Sequence, residues 1–134
     1  MTKDNDNIEL VVIQKKITKY SKVIEDLVNS SKGDIEKKDS LILLSRELND
    51  LLCDIKNIYY KAKKRKLEDE FENVKSLLIG CVEVQNMAYN HIVNFIAEDD
   101  PMLAFRYDGV IRANQDYARR ISNEKLTKGL GLFY

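Results

Sequence analysis

The chain reads as an all-α protein, an antiparallel bundle of four helices with coiled-coil-like heptad seams. Three observations carry that reading. Apolar residues recur every three and four positions through three long segments, the repeat that keeps one stripe of a helix facing a neighbour. Turn-forming residues at SSKGD and EDDP fall between segments. The composition, 44% apolar and 33% charged, is that of a soluble helical protein and too apolar for a disordered one.

The first helix is expected over about 7–30. Its stripe is Leu10, Ile13, Ile17, Tyr20, Ile24 and Leu27, and Asp6 with Glu9 resembles a capping box at its start. The run Ser31 to Asp34 supplies a stop, a turn glycine and the next N-cap. The second helix, about 34–63, carries Leu41, Leu44, Leu48, Leu51, Ile55, Ile58 and Ala62 on one side. The third, about 66–98, carries Leu67, Phe71, Val74, Leu78, Cys81, Gln85, Ala88, Ile92 and Phe95, with Gln85 the single interruption. Between Ala62 and Leu67 the phase slips, because continuing the second stripe would bury Arg65 and Asp69. At ~100° per residue that is a rotation of more than a quarter turn. A turn is therefore expected there, although KAKKRK holds neither glycine nor proline.

Asp100 is the natural N-cap of a fourth helix, about 101–127, with Pro101 as its first residue. Its stripe is shorter: Leu103, Tyr107, Val110, Tyr117 and Ile121. Asp108 and Gly109 divide it if a fifth helix exists. Lys125, Lys128 and Gly129 give a C-terminal stop, followed by a flexible apolar tail over 129–134. One helical-bundle domain over 1–134 is the sensible count. Measured by their stripes, the second and third helices span ~33 and ~43 Å. The third should overhang by ~10 Å, leaving Ala88, Ile92 and Phe95 to be covered by the fourth helix or a second subunit. Gly80, within the third helix, suggests close approach of another helix or a mild kink.

Composition also excludes function classes. The 22 basic and 22 acidic side chains cancel, so the chain lacks the basic excess of a dedicated nucleic-acid or anionic-membrane binder. No apolar run approaches a membrane span, and MTKDNDN is no signal peptide. Cys53 and Cys81 are too few for a disulfide framework or zinc knuckle and read as reduced core or near-core thiols. These features point to the cytoplasm. The richness in lysine, asparagine and isoleucine fits an AT-rich genome, such as that of a low-GC bacterium or its phage.

No catalytic constellation is legible. His91 is the only histidine, whereas a ferritin-like di-iron bundle needs two Glu-x-x-His pairs. Ten residues of helix put His91 ~15 Å from Cys81, beyond hydrogen-bond reach. The clusters Glu68/Asp69/Glu70/Glu72 and Glu98/Asp99/Asp100 read as helix-start acids. No phosphate loop, nucleophile elbow or metal-ligand spacing appears, so no cofactor or metal and no enzymatic activity is expected.

Three features bear on binding. Asn86, Asn90 and Asn94, four residues apart, form a polar row that is either solvated or an interface to another chain. Arg106, Tyr107, Arg112, Tyr117, Arg119 and Arg120, with Leu130, Leu132, Phe133 and Tyr134 of the tail, combine the residue types that dominate interface hot spots. The basic run Lys61, Lys63, Lys64, Arg65 and Lys66 is the alternative, as a nucleic-acid patch. Four acids follow that run within about one Debye length, and no aromatic residue interleaves it for base stacking. The expected function is a non-catalytic protein-interaction module or regulator, a homo-oligomer or a subunit of a larger complex, with nucleic acid as the second choice of partner.

Overall fold

The computed structural model describes residues 2–126, with side chains from residue 9 onward. Four helices succeed one another through short turns: α1 (Thr2–Val28), α2 (Asp34–Arg65), α3 (Glu68–Ile96) and α4 (Pro101–Asn123). The described residues contain no strand, and none of their helices is long and apolar enough to cross a membrane.

Helix ends show how the local sequence works. α1 begins upstream of Asp6, so the Asp6/Glu9 pair lies inside the helix instead of capping it. No glycine or proline in TKDNDN interrupts the first turns. At its far end Ser30 Oγ donates to the Leu27 carbonyl (2.7 Å) and Lys37 Nζ to the Val28 carbonyl (3.0 Å), satisfying carbonyls that a helix end leaves unpaired. Gly33, not Asp34, takes the N-cap position of α2, which places Asp34 and Glu36 in its first turn beside the positive end of the helix dipole.

The turn between α2 and α3 is real. Lys66 adopts the left-handed conformation (φ 58°, ψ 40°). Its N–H donates to the Lys63 carbonyl (3.2 Å), and the Leu67 N–H donates to the Ala62 carbonyl (3.1 Å). This is a Schellman closure with lysine where glycine is usual. A Cβ in that conformation costs on the order of 1 kcal/mol, which explains why the residues gave no ordinary stop signal.

Every stripe residue of the first three helices is buried or half-buried, and together these helices form most of a continuous core. α2 and α3 share the most extensive contact, α3 and α4 the next, and α1 packs on both α2 and α3. The pairings progress in a regular order. Tyr59 stacks on Phe71 and Cys81 Sγ donates to the Leu48 carbonyl (3.7 Å). Tyr89 meets Tyr107, Asn114 meets Gln85, and Lys75 meets Glu124.

Several expectations are corrected. α2 has 32 residues against 29 in α3, because the helices run past the ends of their apolar stripes, so the third helix does not overhang. The cover expected for Ala88 and Ile92 from the fourth helix or a second subunit is found within the single chain, where both are fully buried and Phe95 is half-buried. Cys81 is buried as expected, but Cys53 is exposed, lying off the stripe defined by Leu48, Leu51 and Ile55. A Cβ at Gly80 would meet nothing within 4 Å, so no close helix approach demands that glycine. α4 is one unbroken helix through Asp108 and Gly109. A glycine there costs ~1 kcal/mol against alanine, too little to break a helix anchored by Tyr107 and Ile111 on either side.

The phase of α4 also differs. Its buried residues are Ala104, Ile111 and Ile121, while Val110 is exposed. The inward face includes Asn114, a polar residue that masked the stripe.

Candidate functional site

α4 has two faces of opposite character. It starts where Asp100 Oδ1 accepts from the Leu103 N–H (3.0 Å) and Pro101 presets the first turn. Its inner face packs Ala104, Ile111 and Ile121 into the core, with Leu103, Tyr107, Tyr117 and Ala118 half-buried against it, and adds a polar junction to α3. Asn114 Nδ2 donates to Gln85 Oε1 (3.2 Å) and Asn86 Oδ1 (3.4 Å). Gln85, only 1% exposed, donates in turn to Asn49 Oδ1 (2.8 Å) and the Tyr89 hydroxyl (3.1 Å). Both its amide hydrogens and its oxygen are thus engaged, as a buried amide requires. The one break in the third apolar stripe is therefore the junction between α2, α3 and α4.

At its C-terminal end α4 is clasped by lysines. Lys75, 6% exposed, lies over the Phe71 ring and donates to the Glu124 carbonyl (2.7 Å). Lys63 donates to the Glu124 carboxylate. Burial alone would raise the Glu124 pKa, but the Lys63 hydrogen bond and the nearby Lys63 and Arg120 charges outweigh it and hold the group below its ordinary value. Tyr117 packs between Lys56 (4.6 Å from the ring centroid) and Arg120 (5.3 Å). Burial first, then neighbouring Tyr60, pushes its hydroxyl up to about 12. Burial likewise pushes the Cys81 thiol up to about 12, leaving it an inert packing group.

The outer face is different. Phe105 is 73% exposed and Met102 68%. Arg106 is exposed beside them, and Gly109, Ala113 and Asp116 continue the same face. Of the residues singled out from sequence, Arg106, Arg112, Arg119 and Arg120 are exposed, Arg119 pairing with Asp116 at 3.3 Å. Tyr107 and Tyr117 instead turn inward and are half-buried, because they lie in phase with Ile111 and Asn114. Leu130, Leu132, Phe133 and Tyr134 lie outside the described residues. Met102 and Phe105 were missed. The signal available was that neither fits the phase of any inward stripe on their own helix.

The basic run is divided by its own fold. Lys61, Lys64, Arg65 and Lys66 are exposed around the α2 C-terminus, while Lys63 is held by Glu124. Asn90 and Asn94 are exposed, whereas Asn86 is buried and bonded to Asn114, so the asparagine row splits between solvent and core. His91 is half-buried on α3. Among the described residues no group of three or more His, Cys, Asp or Glu side chains converges as a metal site. A shallow groove of about 660 Å³ runs between α3 and α4, lined by Val82, Met87, Ala118 and the buried Asn86 together with the exposed Glu83 and Arg119.

Comparison with protein-family models, curated proteins and solved structures gives no match.

Proposed function

We propose that this chain is a non-catalytic protein-interaction module, an antiparallel helical bundle that presents the outer face of α4 to a partner in the cytoplasm. The order of the pairings supports the antiparallel reading. Phe71 near the start of α3 meets Tyr59 near the end of α2, whereas Cys81 and Gln85 further along α3 meet the earlier, adjacent residues Leu48 and Asn49. On α4 the partners fall from Glu124 through Asn114 to Tyr107 as α3 advances from Lys75 through Gln85 to Tyr89. The three- and four-residue spacing of the buried side chains makes the seams coiled-coil-like.

One observation carries the functional reading: Met102 and Phe105, one turn apart, project into water beside Arg106 on a helix whose opposite face is buried. Each such side chain forfeits roughly 1.5–3 kcal/mol while it stays wet, and aromatic residues and arginine dominate interface hot spots. The basic run is a weaker candidate for partner contact, since Lys63 is engaged by Glu124 and acids begin the next helix.

The test compares wild-type protein with a Met102→Ser/Phe105→Ser variant as immobilised bait, with matched helical circular dichroism. The proposal expects the bound protein, whether another chain or further copies of this one, to be lost from the variant. An unchanged bound set would refute it.

A further inference from the structure

Resting on that reading, we infer that the partner is a second copy of this chain, packed antiparallel on the outer face of α4 about a two-fold axis between Gly109 and Ala113. Met102, Phe105, Arg106, Gly109, Ala113 and Asp116 follow the spacing i, i+3, i+4, i+7, i+11, i+14, which places them on one helix face. All six are exposed.

That face is self-complementary in charge. With the axis between Gly109 and Ala113, Arg106 of each copy comes opposite Asp116 of the other, giving two equivalent ion pairs. This reciprocity is what a two-fold interface requires. Among the described residues Arg106 makes no ion pair within its own chain, and the pair between Asp116 and Arg119 is solvent-exposed, with side-chain exposures of 74% and 72%. Asp116 is therefore available to a second cation. Parallel pairing would set Arg106 against Arg106 and Asp116 against Asp116, and is disfavoured.

Shape agrees with charge. The crossing point falls on the two smallest residues of the face, so the backbones can approach closely. Nothing inside the chain asks for Gly109: a Cβ there would meet nothing within 4 Å, and glycine is a poor helix former. A second helix crossing at that point supplies the missing reason. Phe105 of each copy then lies against the turn around Asp116 to Arg120 of the other, where the Arg120 stem and guanidinium suit an aromatic ring.

Sedimentation equilibrium of the purified chain, with circular dichroism on each variant, tests the inference. The expected result is a reversible monomer–dimer equilibrium with a dissociation constant of order micromolar, as for a small interface. Phe105→Glu should weaken it by roughly thirtyfold or more. Gly109→Leu should give monomer with helicity intact. Arg106→Asp and Asp116→Arg should each weaken the dimer, and together restore it to within a few-fold of wild type. A wild-type mass that stays monomeric at every concentration overturns the pairing, as does a double charge swap no better than either single change. If that monomer still captures a different host protein through Met102 and Phe105, the second copy alone is refuted and the interaction-module reading stands.

Discussion

α3 and α4 are both amphipathic, yet they are held by different means. α3 buries fourteen of its 29 residues, most of them apolar and several wholly inaccessible. α4 buries three of 23, with Leu103, Tyr107, Tyr117 and Ala118 only half-buried against the core, and adds an amide junction at Asn114 and a lysine clasp at Glu124. Hydrophobic burial is non-directional and scales with area, whereas these polar contacts fix one position and orientation and are weak in net free energy. α3 therefore supplies the larger share of the buried core, while the outer face of α4 stays exposed.

Truncating core side chains should separate the two helices most clearly. Phe71, fully buried against Tyr59, should cost about 3–5 kcal/mol on change to alanine in chemical denaturation. Ile111→Ala on α4 should cost clearly less, at or below the ~2 kcal/mol low end for such truncations, because its helix has a packed neighbour on one side only. Equal losses would show that α4 is as firmly packed as α3.

Next in size is the amide junction. Gln85→Met keeps the volume but leaves Asn49, Asn114 and the Tyr89 hydroxyl without their shared partner. A loss of about 1–3 kcal/mol is expected, accompanied by faster amide exchange in α4 than in α1. A neutral outcome would mean that water replaces the glutamine and that the junction does not hold α4.

These two tests also mark what was legible in the residues. The stripes of α1, α2 and α3 were readable because their inward positions are almost all apolar, from Leu10 to Ile24, Leu41 to Ala62 and Phe71 to Ile92. The turn at Lys66 was readable only as a phase slip, since lysine occupies the position glycine usually marks. In α4 the apolar spacing points to Val110 where the structure buries Ile111, because Asn114 and the small Ala104 sit on its inner face while Met102 and Phe105 sit outside. A periodicity rule assigns large apolar residues to the core, and it fails where a helix carries them on its outer face. The contact between Lys75 and Glu124 had no local signal, being set by tertiary packing across 49 residues.

The clasp itself is a smaller effect. Glu124→Gln should lower stability by about 0.5–1 kcal/mol near neutral pH, typical of a partly exposed ion pair. Because the folded Glu124 pKa lies below its unfolded value of 4.5, the contribution is fully present above that pH and fades as pH falls through the folded value. The difference in melting temperature between wild type and variant should therefore shrink on acidification. A difference that grows instead would reverse the sign of the linkage.

Smallest is Lys66→Gly, which removes a Cβ from the left-handed position and should stabilise the chain by roughly 0.5–1 kcal/mol, with no change in association. Gly109→Ala sharpens the comparison from the other side. It should stabilise the monomer by up to ~1 kcal/mol while weakening contact between copies, opposite signs from one methyl group.

The most direct test of the central claim is native-state amide hydrogen exchange followed by mass spectrometry at low and high protein concentration. The account predicts that α3 exchanges only through global unfolding at both concentrations, and that α4 exchanges faster in dilute solution and gains protection over residues 102–116 as concentration rises. Exchange in α4 that matches α3 in dilute solution, or that ignores concentration altogether, would contradict it.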